Sequence, residues 1–151
     1  VAHWPPGHLG NHMSFQWCDN VFCGDLVMAW ASSLVAPPDG DLTDFMKSCH
    51  RLRDLGAAVL HAGHGPAITN PTARIDWLIA HRLARENAIL DALPSGPSTA
   101  KDLARHIYTE TPANLLPAAE RNVLAHLIDL TQRSLVRADT PLTANSRLSL
   151  F

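Results

Sequence analysis

The sequence predicts a mixed α/β chain in three parts. A strand-and-helix segment covers residues 1–70, one long helix covers 71–93, and a helical segment ending in a small β-hairpin covers 94–151. Three observations carry this. Short alternating apolar runs frame a single helical stretch up to about Leu60. Apolar residues then recur at helical spacing through three successive segments. Two short strand-like runs flank a turn at the end.

The elements follow in order. "HMSFQW" places Met13, Phe15 and Trp17 on one face of a strand, and Asp19-Asn20 reads as the hairpin turn into a second strand within "NVFCGDLVMAW". "APPDGD" is a loop. Leu42, Phe45, Met46, Cys49, Leu52 and Leu55 then share one helical face, and Gly56 is placed to end that helix. "AAVLHAG" suits a buried strand ending at "HGP". Pro71 fits the first turn of the long helix, whose apolar face is Ile75, Leu78, Ile79, Leu83, Ile89, Leu90 and Leu93, up to the turn "LPSGPS". Thr99 and Asp102 form a capping-box-like start for the next helix, with Leu103, Ile107 and Tyr108 inward. After "TPANLLP" a further helix carries Leu116, Ala119, Val123, Leu127 and Leu130. "SLVRAD" and "RLSLF" are strands around the tip "TPLTANS". Three helices and a hairpin in this order resemble a winged helix.

Composition narrows the function classes. The chain is 46% hydrophobic with a net charge of −2, so it has a core and no global basic field for nucleic acid or anionic lipid. No apolar run nears the roughly 18 residues of a membrane span. Val1 to Phe15 lacks a charged region followed by an apolar one, although a cleaved segment upstream stays open. Cys18, Cys23 and Cys49 are odd in number and lack CxxC spacing, which argues against a disulfide framework and fits buried thiols of a cytoplasmic protein.

Metal-capable residues gather where strands end. "PPGHLGNH" offers His8 and His12, "FCGDL" offers Asp25, and "HAGHGP" offers His61 and His64. Each stretch contains glycine, which lets backbone approach a crowded centre, and imidazole with carboxylate is a zinc-type donor set. The bland alternative is turn histidines and a loop-capping Asp25. His61 has the wrong parity for the turn and reads as a core or supporting residue.

"PPGHLGNHMSF", "VFCGDLV" and "LHAGHGPAI" resemble, in order and separation, the third, fourth and fifth motifs of the metallo-β-lactamase fold hydrolases, where the turns are TPGHTxxH, GD and PGHGP. "IDWLIAHRLAREN" and the tail resemble the branch with a C-terminal winged helix, which includes β-lactamase-like RNA endonucleases. The resemblance implies half of an αββα sandwich followed by a winged-helix subdomain. It implies that His8 ligates one metal, Asp25 bridges two and His64 ligates the second, with His12 supporting. It implies two zinc ions and a metal-held hydroxide, positioned by Asp25, that attacks an ester, thioester or phosphodiester. Pro5, Leu9 and Ala62 depart from the motifs and alter the surroundings of His8 and His64. The family's HxHxDH motif does not occur, so the sequence reads as the C-terminal part of a longer hydrolase, with its N-terminal half as the missing partner. Alone it is expected to be inactive, with partial or no zinc. A homo-oligomer is left open, as are RNA and small acyl substrates.

Two further readings stand beside the enzyme. One is a winged-helix nucleic-acid module. Against it, the basic residues Lys101, Arg105, Arg121, Arg133, Arg137 and Arg147 are offset by Asp102, Glu110, Glu120, Asp129 and Asp139. The other is a non-catalytic structural module. In "HRLARE", Arg82 and Arg85 read as an ion-pair network including Arg82–Glu86, or as guanidinium groups orienting an anionic substrate.

Overall fold

Cys18, in a left-handed conformation (φ 49°), starts a tight turn that pairs Trp17 with Asn20 and closes the first hairpin one residue earlier than the sequence suggests. In the computed structural model, which describes residues 1–138 and 142–151, the hairpin belongs to a four-stranded sheet. Its strands are β1 (Ala2–His3), β2 (Ser14–Trp17), β3 (Asn20–Gly24) and β4 (Val59–Ala62), in that order. The first two pairings are antiparallel; β3 and β4 are parallel. The connection between them carries helix α1 (Leu42–Asp54), as a parallel crossover requires. Asp41 caps α1 by accepting from the Asp44 amide at 2.8 Å, and Gly56 follows its end at φ 63°.

The contacts divide the chain into two units, Val1–Arg82 and Leu83–Phe151, with the boundary inside the long helix α2 (Pro71–Ala92). The first unit buries Val21, Cys23 and Leu60 from the sheet and Leu42, Phe45, Cys49 and Leu52 from α1. Burial pushes the Cys23 thiol up to about 11 and that of Cys49 up to about 12, so both stay protonated and act as small apolar groups. Cys18 is exposed.

The alternation of Met13, Phe15 and Trp17 is present, but these residues face outward and Ser14 is buried. Cross-strand pairing lines up Ala2, Phe15, Phe22 and His61 on that outer face. The rings of Phe22 and His61 stack at 4.9 Å, and His61 Nε2 bonds Asn20 Oδ1 at 2.9 Å. His61 is therefore a sheet-surface residue and not a core one. A period of two says that residues share a face; it does not say which face meets the core.

In the second unit Ile89 and Leu93 join a core with Leu103, Ala119, Val123, Leu127, Leu130, Val136 and Leu148, and Ile107 is partly buried against it. The helices are α3 (Ala100–Ile107) and α4 (Leu116–Gln132); β5 (Val136–Ala138) and β6 (Leu148–Leu150) form an antiparallel pair. Thr99 and Asp102 complete a reciprocal capping box, and those bonds hold the Asp102 carboxyl below its usual range. Asp139, Thr140 and Pro141, expected at the end of one strand and in the tip, lie outside the described residues. Among the described residues no helix is long and apolar enough to cross a membrane.

Candidate metal centre

The loop before β2 is bound tightly to α1. Ser48 Oγ donates to the Pro6 carbonyl at 2.7 Å and the Asp41 amide to the Gly7 carbonyl at 3.0 Å. Gly7 sits at φ 130° against the Phe45 backbone, where a Cβ would fall 2.2 Å from Phe45 Cα. Only glycine permits that approach, which sets the position of His8. His8 Nδ1 lies 2.6 Å from the Leu34 carbonyl. A carbonyl only accepts, so Nδ1 is the donor, and in the neutral ring Nε2 is the nitrogen with a lone pair to offer.

His12 leans the other way. Its Nε2 donates to the Cys23 carbonyl at 2.9 Å. Its ring lies over Gly24, where a Cβ would be 2.6 Å from His12 Cε1. The His8 and His12 rings meet edge to face with centroids 6.1 Å apart.

Asp25 follows Gly24 at the end of β3, and His64 sits in the turn after β4. Leu60 and Ile68 close that turn with two backbone bonds of 3.0 and 2.8 Å. The Gly63 amide donates to the Gly24 carbonyl at 3.0 Å, joining the two strand ends. His64 Nδ1 reaches Asp25 Oδ1 at 2.8 Å, and a Cβ on Gly63 would be 2.7 Å from the same oxygen. The parallel register of β3 and β4 thus delivers a carboxylate and an imidazole to one point, with glycine on both sides making room.

The sequence-predicted residues do not all converge. Asp25 and His64 are in direct contact, and His12 abuts the glycine preceding Asp25. His8 contacts Leu34 and His12, and among the described residues no group of three or more His, Cys, Asp or Glu could hold a metal ion. The donors fit zinc in kind, but a catalytic zinc takes about three protein ligands and this chain brings two into contact.

The structure places the arginines of "HRLARE" apart, and the expected Arg82–Glu86 pair is replaced by Glu86–Arg133. Arg82 is 2% exposed, donates to the Ser33 carbonyl and lies under the Phe45 ring at 5.1 Å. Arg85 stacks on Tyr108 at 4.4 Å. Glu86, expected to pair with Arg82, meets Arg133 at 2.7 Å, and Arg133 also meets Asp129 at 2.9 Å. Leu83, expected inward, is 48% exposed.

The sequence reading missed the segment 26–35, expected in part to continue the second strand. It leaves the sheet after Gly24 and is held through its carbonyls. Arg74 donates to Met28 and Ala31, each at 2.7 Å, while Arg82 takes Ser33 and His8 takes Leu34. Ser33 Oγ donates back to Leu26 at 2.9 Å. Such side-chain-to-carbonyl bonds across long separations leave no periodic trace in a sequence.

Comparison with known proteins bears on the fold that carries these residues. Residues 99–141 match the β-lactamase associated winged helix domain. The chain is 33% identical over 141 residues to a β-lactamase-like protein 2 homolog of Drosophila melanogaster, covering 91% of this chain and 47% of that protein. It is 27% identical over 146 residues to an atrochrysone carboxyl ACP thioesterase of Aspergillus fumigatus, covering 87% of this chain and 44% of that one. The structure superposes on a metallo-β-lactamase family protein from Thermus thermophilus with a TM-score of 0.85 and 31% identity, over 99% of this chain and 48% of the other. The chain thus spans about half the length of the relatives it matches. Motif order, strand-end geometry, winged helix and these likenesses agree: the chain belongs to the metallo-β-lactamase fold family.

Proposed function

We propose that this sequence serves a zinc-dependent hydrolase that cleaves acyl thioesters. The contact between Asp25 and His64 at the ends of β3 and β4 carries the reading. The two residues would hold metal, and His8, with Nε2 left available by its bond to Leu34, would serve a neighbouring position. A zinc ion held there would lower the pKa of a water molecule and so supply hydroxide near neutral pH. A segment outside this chain contributes the remaining donors, and its sheet covers the apolar outer face of Phe15, Trp17 and Phe22.

Within the chain, Gly63 leaves room for the Asp25 carboxylate and Gly24 for the His12 ring. The Asp25 contact orients His64 through Nδ1, which leaves Nε2 for a metal. A thioester is favoured over a phosphodiester for two reasons. One relative is named a thioesterase. Several cations of the second unit are also engaged: Arg133 with Glu86 and Asp129, Arg147 with the Pro97 carbonyl at 2.9 Å, and Arg137 with Ser149 at 3.0 Å.

The test compares zinc-loaded full-length protein on an acyl thioester and on bis(p-nitrophenyl) phosphate. Thioester turnover should exceed phosphodiester turnover by at least about a hundredfold, a difference of roughly 2.7 kcal/mol in transition-state stabilisation. Turnover of the phosphodiester alone would overturn the substrate class.

A further inference from the structure

Trp30 is 68% exposed, yet its loop is anchored through the carbonyls of Met28, Ala31, Ser33 and Leu34. The ring itself is seated. A Cβ on Gly65 would be 2.7 Å from Trp30 Cδ1 and 3.0 Å from Nε1, so the edge of the indole rests on backbone that only glycine leaves free. Gly65 is at φ 94° and directly follows His64. Arg74, which holds the Trp30 loop, is braced in turn by the Trp77 ring at 4.2 Å, and Trp77 stacks on His81 at 5.1 Å with planes 7° apart. The result is an exposed aromatic face, fixed one residue from a proposed metal ligand.

We propose that Trp30 determines substrate specificity by stacking its exposed indole face on a planar, conjugated acyl group whose carbonyl lies at the Asp25–His64 pair. This deepens the hydrolase reading and rests on it. The chemistry follows from the seating. Saturated chains gain apolar contact from any bulky side chain, whereas a flat π-system gains an additional offset-stacking attraction from an aromatic ring held in place. Because the seat adjoins His64, the group it grips is one attached directly to the reacting carbonyl. A nucleobase would stack as well, but the guanidinium of Arg74, which bonds carbonyls on either side of Trp30, is committed to two carbonyls and a ring, which leaves it poorly placed for phosphate.

The test uses zinc-loaded full-length protein, wild type, Trp30→Leu and Trp30→Phe, with thermal melts confirming that each is folded. Calorimetry measures binding of the product analogues 2-naphthoate and decahydro-2-naphthoate, which share a skeleton but differ in the π-face. Trp30→Leu should weaken naphthoate roughly three- to tenfold and leave the saturated acid within about twofold, and Trp30→Phe should retain most of the preference. The ratio of kcat/KM for the two corresponding thioesters should move in parallel. Equal losses for both acids, or no change in either, would overturn the role of Trp30. Absence of any thioester turnover by the wild type would instead refute the hydrolase reading, and the two failures are distinguishable because binding is measured separately.

Discussion

On the proposed reading, Asp25→Ala in the zinc-loaded full-length protein is expected to lower thioester hydrolysis by more than about a hundredfold, beyond the roughly 10–100-fold typical of losing a hydrogen-bonded partner of a ligand. The Asp25 carboxylate is the element that links the end of β3 to His64, across 2.8 Å, and no other acceptor for that imidazole is shown among the described residues. His12→Ala is the informative companion. His12 bonds the Cys23 carbonyl and meets the ring of His8, and its role is that of a supporting residue, so its loss should fall within the roughly 10–100-fold range. Steady-state kinetics on both variants checks the order. If the two lost activity equally, the distinction between ligand and supporting residue would be wrong.

The second large effect concerns stability. Gly7→Ala should destabilise the fold by about 4 kcal/mol or more, among the largest effects of a single substitution. A methyl group there would stand 2.2 Å from Phe45 Cα and 2.3 Å from Phe45 N, both backbone atoms, at a φ of 130° that side chains rarely adopt. Neither α1 nor the loop yields easily, because Ser48 and Asp41 bond the loop to the helix. Gly56→Ala provides the comparison. It shares a positive φ of 63° but has nothing within 4 Å, so only the left-handed backbone term of about 1–2 kcal/mol applies. Urea unfolding of the two variants separates contact from conformation. Similar losses would mean that the Gly7–Phe45 approach is not tight in solution.

The Asp25–His64 contact was legible because its requirements are local. Glycine beside each candidate ligand signalled close backbone approach. The strands that bring Asp25 to His64 lay within apolar runs, one ending at "HAG" and the other expected to run on past Gly24. The capping box at Thr99 and the inward face of α1 were likewise written in adjacent residues. What escaped the sequence depends on distant partners. The outward placement of Phe15 and Trp17 depends on which sheet face α1 covers, which alternation does not encode. Arg82 was read as a surface or site-mouth charge because an arginine in a helix is usually solvated. Its burial requires the Ser33 carbonyl and the Phe45 ring, both supplied from far along the chain. The same is true of Trp30, an unremarked residue in an irregular segment until Gly65 is found beneath its ring.

A shared metal site at the ends of β3 and β4 is tested most directly by the zinc content of the full-length protein, wild type and His64→Ala, measured by plasma mass spectrometry after exhaustive dialysis. The wild type should retain about two zinc ions per chain, and His64→Ala should lose about one of them while remaining folded. A His64→Ala protein that keeps the wild-type zinc content would contradict a metal-holding role for the Asp25–His64 pair.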